Sequence, residues 1–163
     1  MKTKTLFLLV VVVVLCYGKT LAQDKFSSSV LLEVQYKNDE MVKNEMSSYL
    51  AREIRSLKDV ETVPVSSPGT YTVSVMMVDA TVGDRKLGYA VSVTITRQMN
   101  CTTMFKKKDG TPQINTYDDI ENTYIYVIPT DELKDLAQRI IAQFDAGTLE
   151  TWRQVFRMTR PKP

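Results

Sequence analysis

Histidine is absent from all 163 residues of the chain, and this excludes more chemistry than any other feature of its composition. Histidine is the usual general base near neutral pH, the partner of most serine and cysteine nucleophiles, and the commonest zinc ligand. Ser47, Ser48 and Ser92 therefore lack the base that would activate them. Glycine and proline number six each and cysteine two, and no glycine-rich cradle precedes a helix to hold a phosphate. Internal repeats are missing, and so are long apolar runs beyond the first residues. These absences predict a protein that is not an enzyme and carries no cofactor.

The one long apolar run explains itself by position. Lys2 and Lys4 precede Leu6 to Tyr17, a stretch of 12 residues closed by Gly18 and Lys19 and followed by Thr20-Leu21-Ala22. A membrane-spanning helix needs ~20 apolar residues, so this run reads as a secretory signal peptide over residues 1–22, cleaved after Ala22. Lipid anchoring at Cys16 is disfavoured, because bulky Leu15 stands where a small residue is normally required. The expected location is the periplasm or the outside of the cell, with no transmembrane span after processing.

Removing that segment leaves 141 residues with 18 basic against 19 acidic side chains, a net charge of about −1 where the whole chain carries +2. A nearly neutral chain gives no support to a nucleic-acid or anionic-membrane partner. Cys101 becomes the only cysteine, so an intramolecular disulfide is excluded, while a dimer bridged through Cys101 stays open.

Periodicity supplies the fold. Residues 23–29 are polar and read as a flexible leader, and residues 30–160 as a single domain. Val30, Leu32, Val34 and Tyr36 share one face of a strand. Asn38 or Asp39 can cap a helix running to about Leu57, with Met46, Leu50 and Ile54 in its apolar stripe. Val60 to Val65 reads as a short strand that Pro64 either places at an edge or ends. Tyr71 to Met77 and Tyr89 to Ile95 alternate strongly around a turn at Gly83-Asp84, which predicts a hairpin.

From Met99 to Asn122 the alternation decays, leaving either a long loop or a second hairpin with Asp109-Gly110 at its tip. Thr123 to Ile128 is apolar on both faces, the pattern of a central strand. Thr130 is placed to cap a helix whose buried face runs from Leu133 to Phe144. Gly147 is placed to end it, and Thr148 to cap a last helix carrying Leu149, Trp152, Val155 and Phe156. The order implies an α+β two-layer sandwich, with an antiparallel or mixed sheet of four to six strands, one helix after the first strand and two C-terminal helices.

Val30 to Tyr36, Gly69 to Val75, Gly88 to Val93 and Asp131 to Trp152, in that order, resemble a group of small exported bacterial proteins of unknown function. More distantly they resemble the amino-terminal domain of TolB-like periplasmic proteins and related envelope lipoprotein domains. The resemblance implies a noncatalytic, protein-binding role in the cell envelope and carries no site residue with it.

Candidate sites come from the residues themselves. Tyr117, Tyr124 and Tyr126 are candidates for an interaction surface, because tyrosine joins apolar area to a polar end at small entropic cost. Asn100-Cys101-Thr102 matches the N-glycosylation acceptor, relevant only in a eukaryotic secretory pathway. Asp118, Asp119 and Glu121 lack the spacing of a calcium loop, so no metal is expected. Lys106 to Lys108 have no interleaved aromatic platform. Trp152 reads as a core anchor. The leading expectation is an exported interaction or accessory protein, bound to an envelope or extracellular protein through a sheet edge or the segment from Asn100 to Asn122. The alternative is a small-molecule binder or carboxylate-based hydrolase with a site between sheet and helices, in which Asp79 would converge with Asp118 or Asp119.

Overall fold

Alternation in the first strand is carried into the structure, a computed structural model that describes residues 25–106 and 111–159. The expected signal segment and the expected turn at Asp109-Gly110 lie outside the described residues. Strand β1 (Ser28–Gln35) buries Val30 and packs Leu32 and Val34 on the same core. It begins inside the expected leader, because the Ser28 amide donates to the Asp59 carbonyl at 2.9 Å and Ser28 pairs with Val60. Helix α1 (Glu40–Ser56) opens at Asp39, whose carboxylate accepts from the Met41 and Val42 amides at 2.8 and 3.3 Å. Met46, Leu50 and Ile54 form its buried stripe.

The short strand β2 (Val60–Thr62) lies parallel to β1 at one edge and stops before Pro64, which has no N–H to give a ladder. Strands β3 (Tyr71–Val82) and β4 (Arg85–Lys106) make the expected hairpin. Its two-residue turn carries a positive φ at Gly83 alone, 59°, the glycine-first arrangement that suits strand twist. Strand β5 (Pro112–Pro129) pairs antiparallel with β4. The sheet order is β2-β1-β3-β4-β5, mixed in direction, with the helices on one face: the α+β two-layer arrangement.

Helix α2 (Leu133–Phe144) presses Leu136, Ala137, Ile140 and Phe144 onto the inner side chains of β3 and β4. A π-helical turn (Asp145–Leu149) joins it to helix α3 (Glu150–Thr159). Arg153 of α3 clamps the far edge of the sheet. Its Nε and Nη2 donate to the two Asp59 carboxylate oxygens at 2.6 and 2.8 Å, and its Nη1 lies 2.7 Å from Asp145. The Phe26 ring meets Phe156 edge-on at 5.9 Å, which holds the entry to β1 against α3.

One open choice is decided and three local expectations are corrected. Of the two readings of Met99 to Asn122 the hairpin is the one found: apart from residues 107–111 the segment lies in β4 and β5, paired through Asn100 with Thr116 and Thr102 with Ile114. Its alternation decays because this part of the hairpin runs past the helices. Residues 114–120 are all exposed, and water on both faces selects no apolar side. Thr123 to Ile128 belongs to an edge strand, since among the described residues no strand pairs with the far side of β5, and α2 covers only its inner face.

The other two corrections concern helix ends. Thr130 does not cap α2, which begins at Leu133 behind Glu132 with no side-chain cap. Gly147 does not stop the helix either, and its φ is not positive. The chain widens there into the π turn, which turns Thr148 and Leu149 inward together. Asn122 of β5 donates to the buried Thr148 hydroxyl at 3.0 Å, so that hydroxyl serves the sheet rather than a new helix start.

Candidate functional site

Everything that covers the sheet lies on one side, so the other face of β3, β4 and β5 meets solvent. Along β3 the outward positions change from Thr72 and Ser74 to Met76 and Val78, each of the last two 54 % exposed. Ala90 and Ser92 of β4 lie opposite Val78 and Met76 in the ladder. Beyond them on β5 stand Val127 and Ile125, 74 % and 78 % exposed. These side chains make a continuous apolar strip with a shallow depression of about 150 Å³ over Met76, Val78, Ala90 and Ile125.

The strip ends at an open edge. Among the described residues no strand pairs with the far side of β5, so that side presents unpaired backbone donors and acceptors. Natural edges are usually blunted by charge, proline or a bulge. The stretch Thr123 to Ile128 has none of these. Just upstream the edge changes character. Glu121 is skipped in the β4–β5 register, half-buried and near enough to Tyr71 on the inner face to act on its hydroxyl, and the exposed Asp118 and Asp119 before it point to opposite faces of the strand, Asp118 to the outer one.

The sequence candidates are distributed differently. Tyr124 and Tyr126 are partly buried on the inner face, their rings 6.4 Å apart. The Tyr126 hydroxyl donates to Gln143 of α2, and Arg139 lies over its ring at 5.7 Å. Tyr117 is 48 % exposed, seven positions away and about 23 Å along the strand, so the three do not form one patch. Asn100 is exposed near the solvent-facing end of β4 and accepts from the Thr116 hydroxyl at 3.1 Å. Cys101 is exposed beside it, opposite Asn115. Sequence reading missed the strip itself. Its available signal was the change from Thr72 and Ser74 to Met76 and Val78.

The proposed convergence of Asp79 with Asp118 or Asp119 does not occur. Asp79 pairs with Tyr89 and Asp118 with Gln98, nine positions along β4, or about 30 Å. Asp79 is instead saturated by donors: Lys86 Nζ at 2.7 Å, the Tyr36 hydroxyl at 2.6 Å and Asn38 Nδ2 at 2.8 Å. Lys86 also lies 4.3 Å from the centre of the Tyr89 ring. The cluster fastens the turn end of the β3–β4 hairpin to the end of β1.

Lys86, then Tyr36 and Asn38, hold the Asp79 carboxyl at about 2, below its ordinary 3.8. Asp59 is also lowered, chiefly by the Arg153 fork. A carboxyl depressed in the folded state contributes its stability in full above 3.8 and loses it as the pH falls through about 2. Melting temperature should therefore drop over that acidic window, and less steeply in Asp79→Asn. Parallel curves for the two proteins would show that the cluster does not couple to folding.

The class of protein is set by this architecture: a small α+β sandwich with one bare sheet face and, among the described residues, no helix long and apolar enough to cross a membrane. No protein-family model matches the chain, and no curated protein does. Among solved structures it is similar to a PelC dodecamer subunit from Paraburkholderia phytofirmans, at 15% identity over 75% of this chain and 86% of that one, TM-score 0.38. It is similar also to a minor lipoprotein from Acinetobacter baumannii, at 17% identity over 73% of this chain and 91% of that one, TM-score 0.28. Rare lipoprotein B from Shewanella oneidensis matches at 8% identity over 78% and 98%, TM-score 0.30. The chemistry of the site is accordingly argued from its own residues.

Proposed function

We propose that this chain is an exported, noncatalytic accessory protein of the cell envelope that holds another protein by accepting one of its segments as an added strand along β5. The observation that carries this reading is the uncharged run Thr123 to Ile128 on an open edge, with Ile125 and Val127 facing solvent. A six-residue segment of this composition, left bare, would template aggregation. An incoming strand satisfies the edge backbone and covers the apolar strip, the usual division between affinity and specificity in strand addition. Exposed Asp118, on the outer face upstream of the strip, sets the chemistry of the partner: an extended segment, basic at one end and apolar along the rest. Export follows from the leading apolar segment. The saturation of Asp79 supports the noncatalytic reading over a carboxylate-based hydrolase.

Photo-crosslinkers placed at Ile125 and Val127 in cells exporting the protein test it, with Glu33 on the outer side of β1 as the reference position. Adducts with another envelope protein are expected at the first two positions and not at Glu33. The double variant Ile125→Lys with Val127→Lys should abolish capture while stability changes by no more than about 0.5 kcal/mol per site, because both side chains are exposed. Equal adducts at all three positions would defeat the proposal, and adducts of twice the chain mass would make the captured strand that of a second copy.

A further inference from the structure

Arg97 on the inner face of β4 makes no ion pair among the described residues, although the Glu121 carboxylate, like Arg97 itself, lies near enough to the Tyr71 hydroxyl to act on it. Its guanidinium carbon lies 3.8 Å from the centre of the Trp152 ring and 5.4 Å from that of Tyr71. Stacking of this kind leaves the N–H donors of the guanidinium in their plane, available to an acceptor. Its Nε is buried with no hydrogen-bond partner among the described residues, and none of the ion pairs formed among them includes it. Asp119 stands opposite in the ladder but is exposed and makes no ion pair with it. The Tyr71 hydroxyl is a second buried polar atom with no partner among the described residues.

Arg97 also lines a cavity of about 310 Å³ between the entry to β1 and helix α3. Phe26, Trp152, Val155 and Phe156 supply apolar walls, and Lys25 adds a second positive charge at the rim. A half-buried guanidinium without a partner is costly, and a carboxylate meets it with two parallel hydrogen bonds. The walls would stay wet around a bare inorganic anion.

We infer that this cleft binds a small carboxylate bearing an aromatic or branched apolar group, its carboxylate on Arg97 and its apolar part against Trp152 and Phe26. The cleft lies on the helix-covered face, away from the open edge, so its outcome is independent of strand capture at β5.

Trp152 is the only tryptophan of the chain, and its indole N–H resonance reports the cleft directly. Titration of the full-length mature protein with benzoate should move that resonance saturably, with a dissociation constant in the millimolar range or tighter. Benzyl alcohol, which lacks the charge, and inorganic phosphate, which lacks the ring, should each bind at least about tenfold more weakly. Arg97→Gln should weaken benzoate by at least about tenfold. Two surface variants make the test independent of how well Arg97→Gln folds: Lys25→Gln should weaken benzoate and Asp119→Asn should tighten it. Absence of a saturable shift would overturn the inference. So would phosphate binding as well as benzoate, or Lys25→Gln and Asp119→Asn both leaving the affinity unchanged.

Discussion

Gly88→Ala is expected to cost about 3 kcal/mol or more and to detach the end of β5 from β4. A Cβ at Gly88 would lie 1.9 Å from the Ile128 carbonyl oxygen, 2.9 Å from its carbon and 3.0 Å from Pro129 Cα. These are backbone atoms of the paired strand, so no rotamer relieves the contact. Gly88 pairs with Pro129 on one side and with Ala80 on the other, next to the irregularity between Ala80 and Thr81. Displacement at this point pulls Ile128 away from the core, where it is buried, and shifts the edge that carries Ile125 and Val127. The comparison is Gly83→Ala, where a Cβ meets nothing within 4 Å and only the positive φ is strained, at about 1–2 kcal/mol. Urea unfolding of the two variants should rank Gly88→Ala well below Gly83→Ala. The reverse order would mean that β4 and β5 do not approach as closely as described.

Phe144→Ala is expected to lose roughly 3–5 kcal/mol and to lower the melting temperature by about 10 °C or more. Phe144 is 0 % exposed, at the end of α2, and its ring meets Tyr71 edge-on at 5.6 Å. Truncation removes a large apolar side chain and opens a cavity between the sheet and the start of the π turn, where Thr148 and Leu149 are also buried. The effect should therefore reach α3, which hangs on that turn. A calorimetric scan reads the loss. A drop of less than about 1 kcal/mol would mean that the site collapses around the gap and that the α2 contact contributes little.

The fold was legible where one face of an element is dry. Val30 to Val34, Tyr71 to Met77, Tyr89 to Ile95, Met46 to Ile54 and Leu133 to Phe144 each show their period because burial selects it. The longest segment left open, Met99 to Asn122, falls where the hairpin leaves the helices and neither face is selected. The edge position of Thr123 to Ile128 could not be read either. Apolar residues on both faces look the same whether the second face meets another layer or is exposed. The helix ends were misread for a related reason: Gly147 and Thr148 have the local chemistry of a stop and a cap, but the contact between Asn122 and Thr148 is made across the fold. The bare outer strip was legible only in its strand, and Arg97 carried no signal, because its want of an ion pair among the described residues depends on what the fold brings near it.

By itself the sequence determined the two-layer fold and the want of a histidine-based chemistry, since these follow from composition and local period. Only the tertiary structure decided that β5 has no further strand beside it among the described residues, that Asp79 is saturated far from Asp118, and that Arg97 stacks on Trp152 above a cavity. The physical reason is that period records whether a face is buried, whereas an open edge or an unpaired charge depends on distant parts of the chain that come near it or stay away.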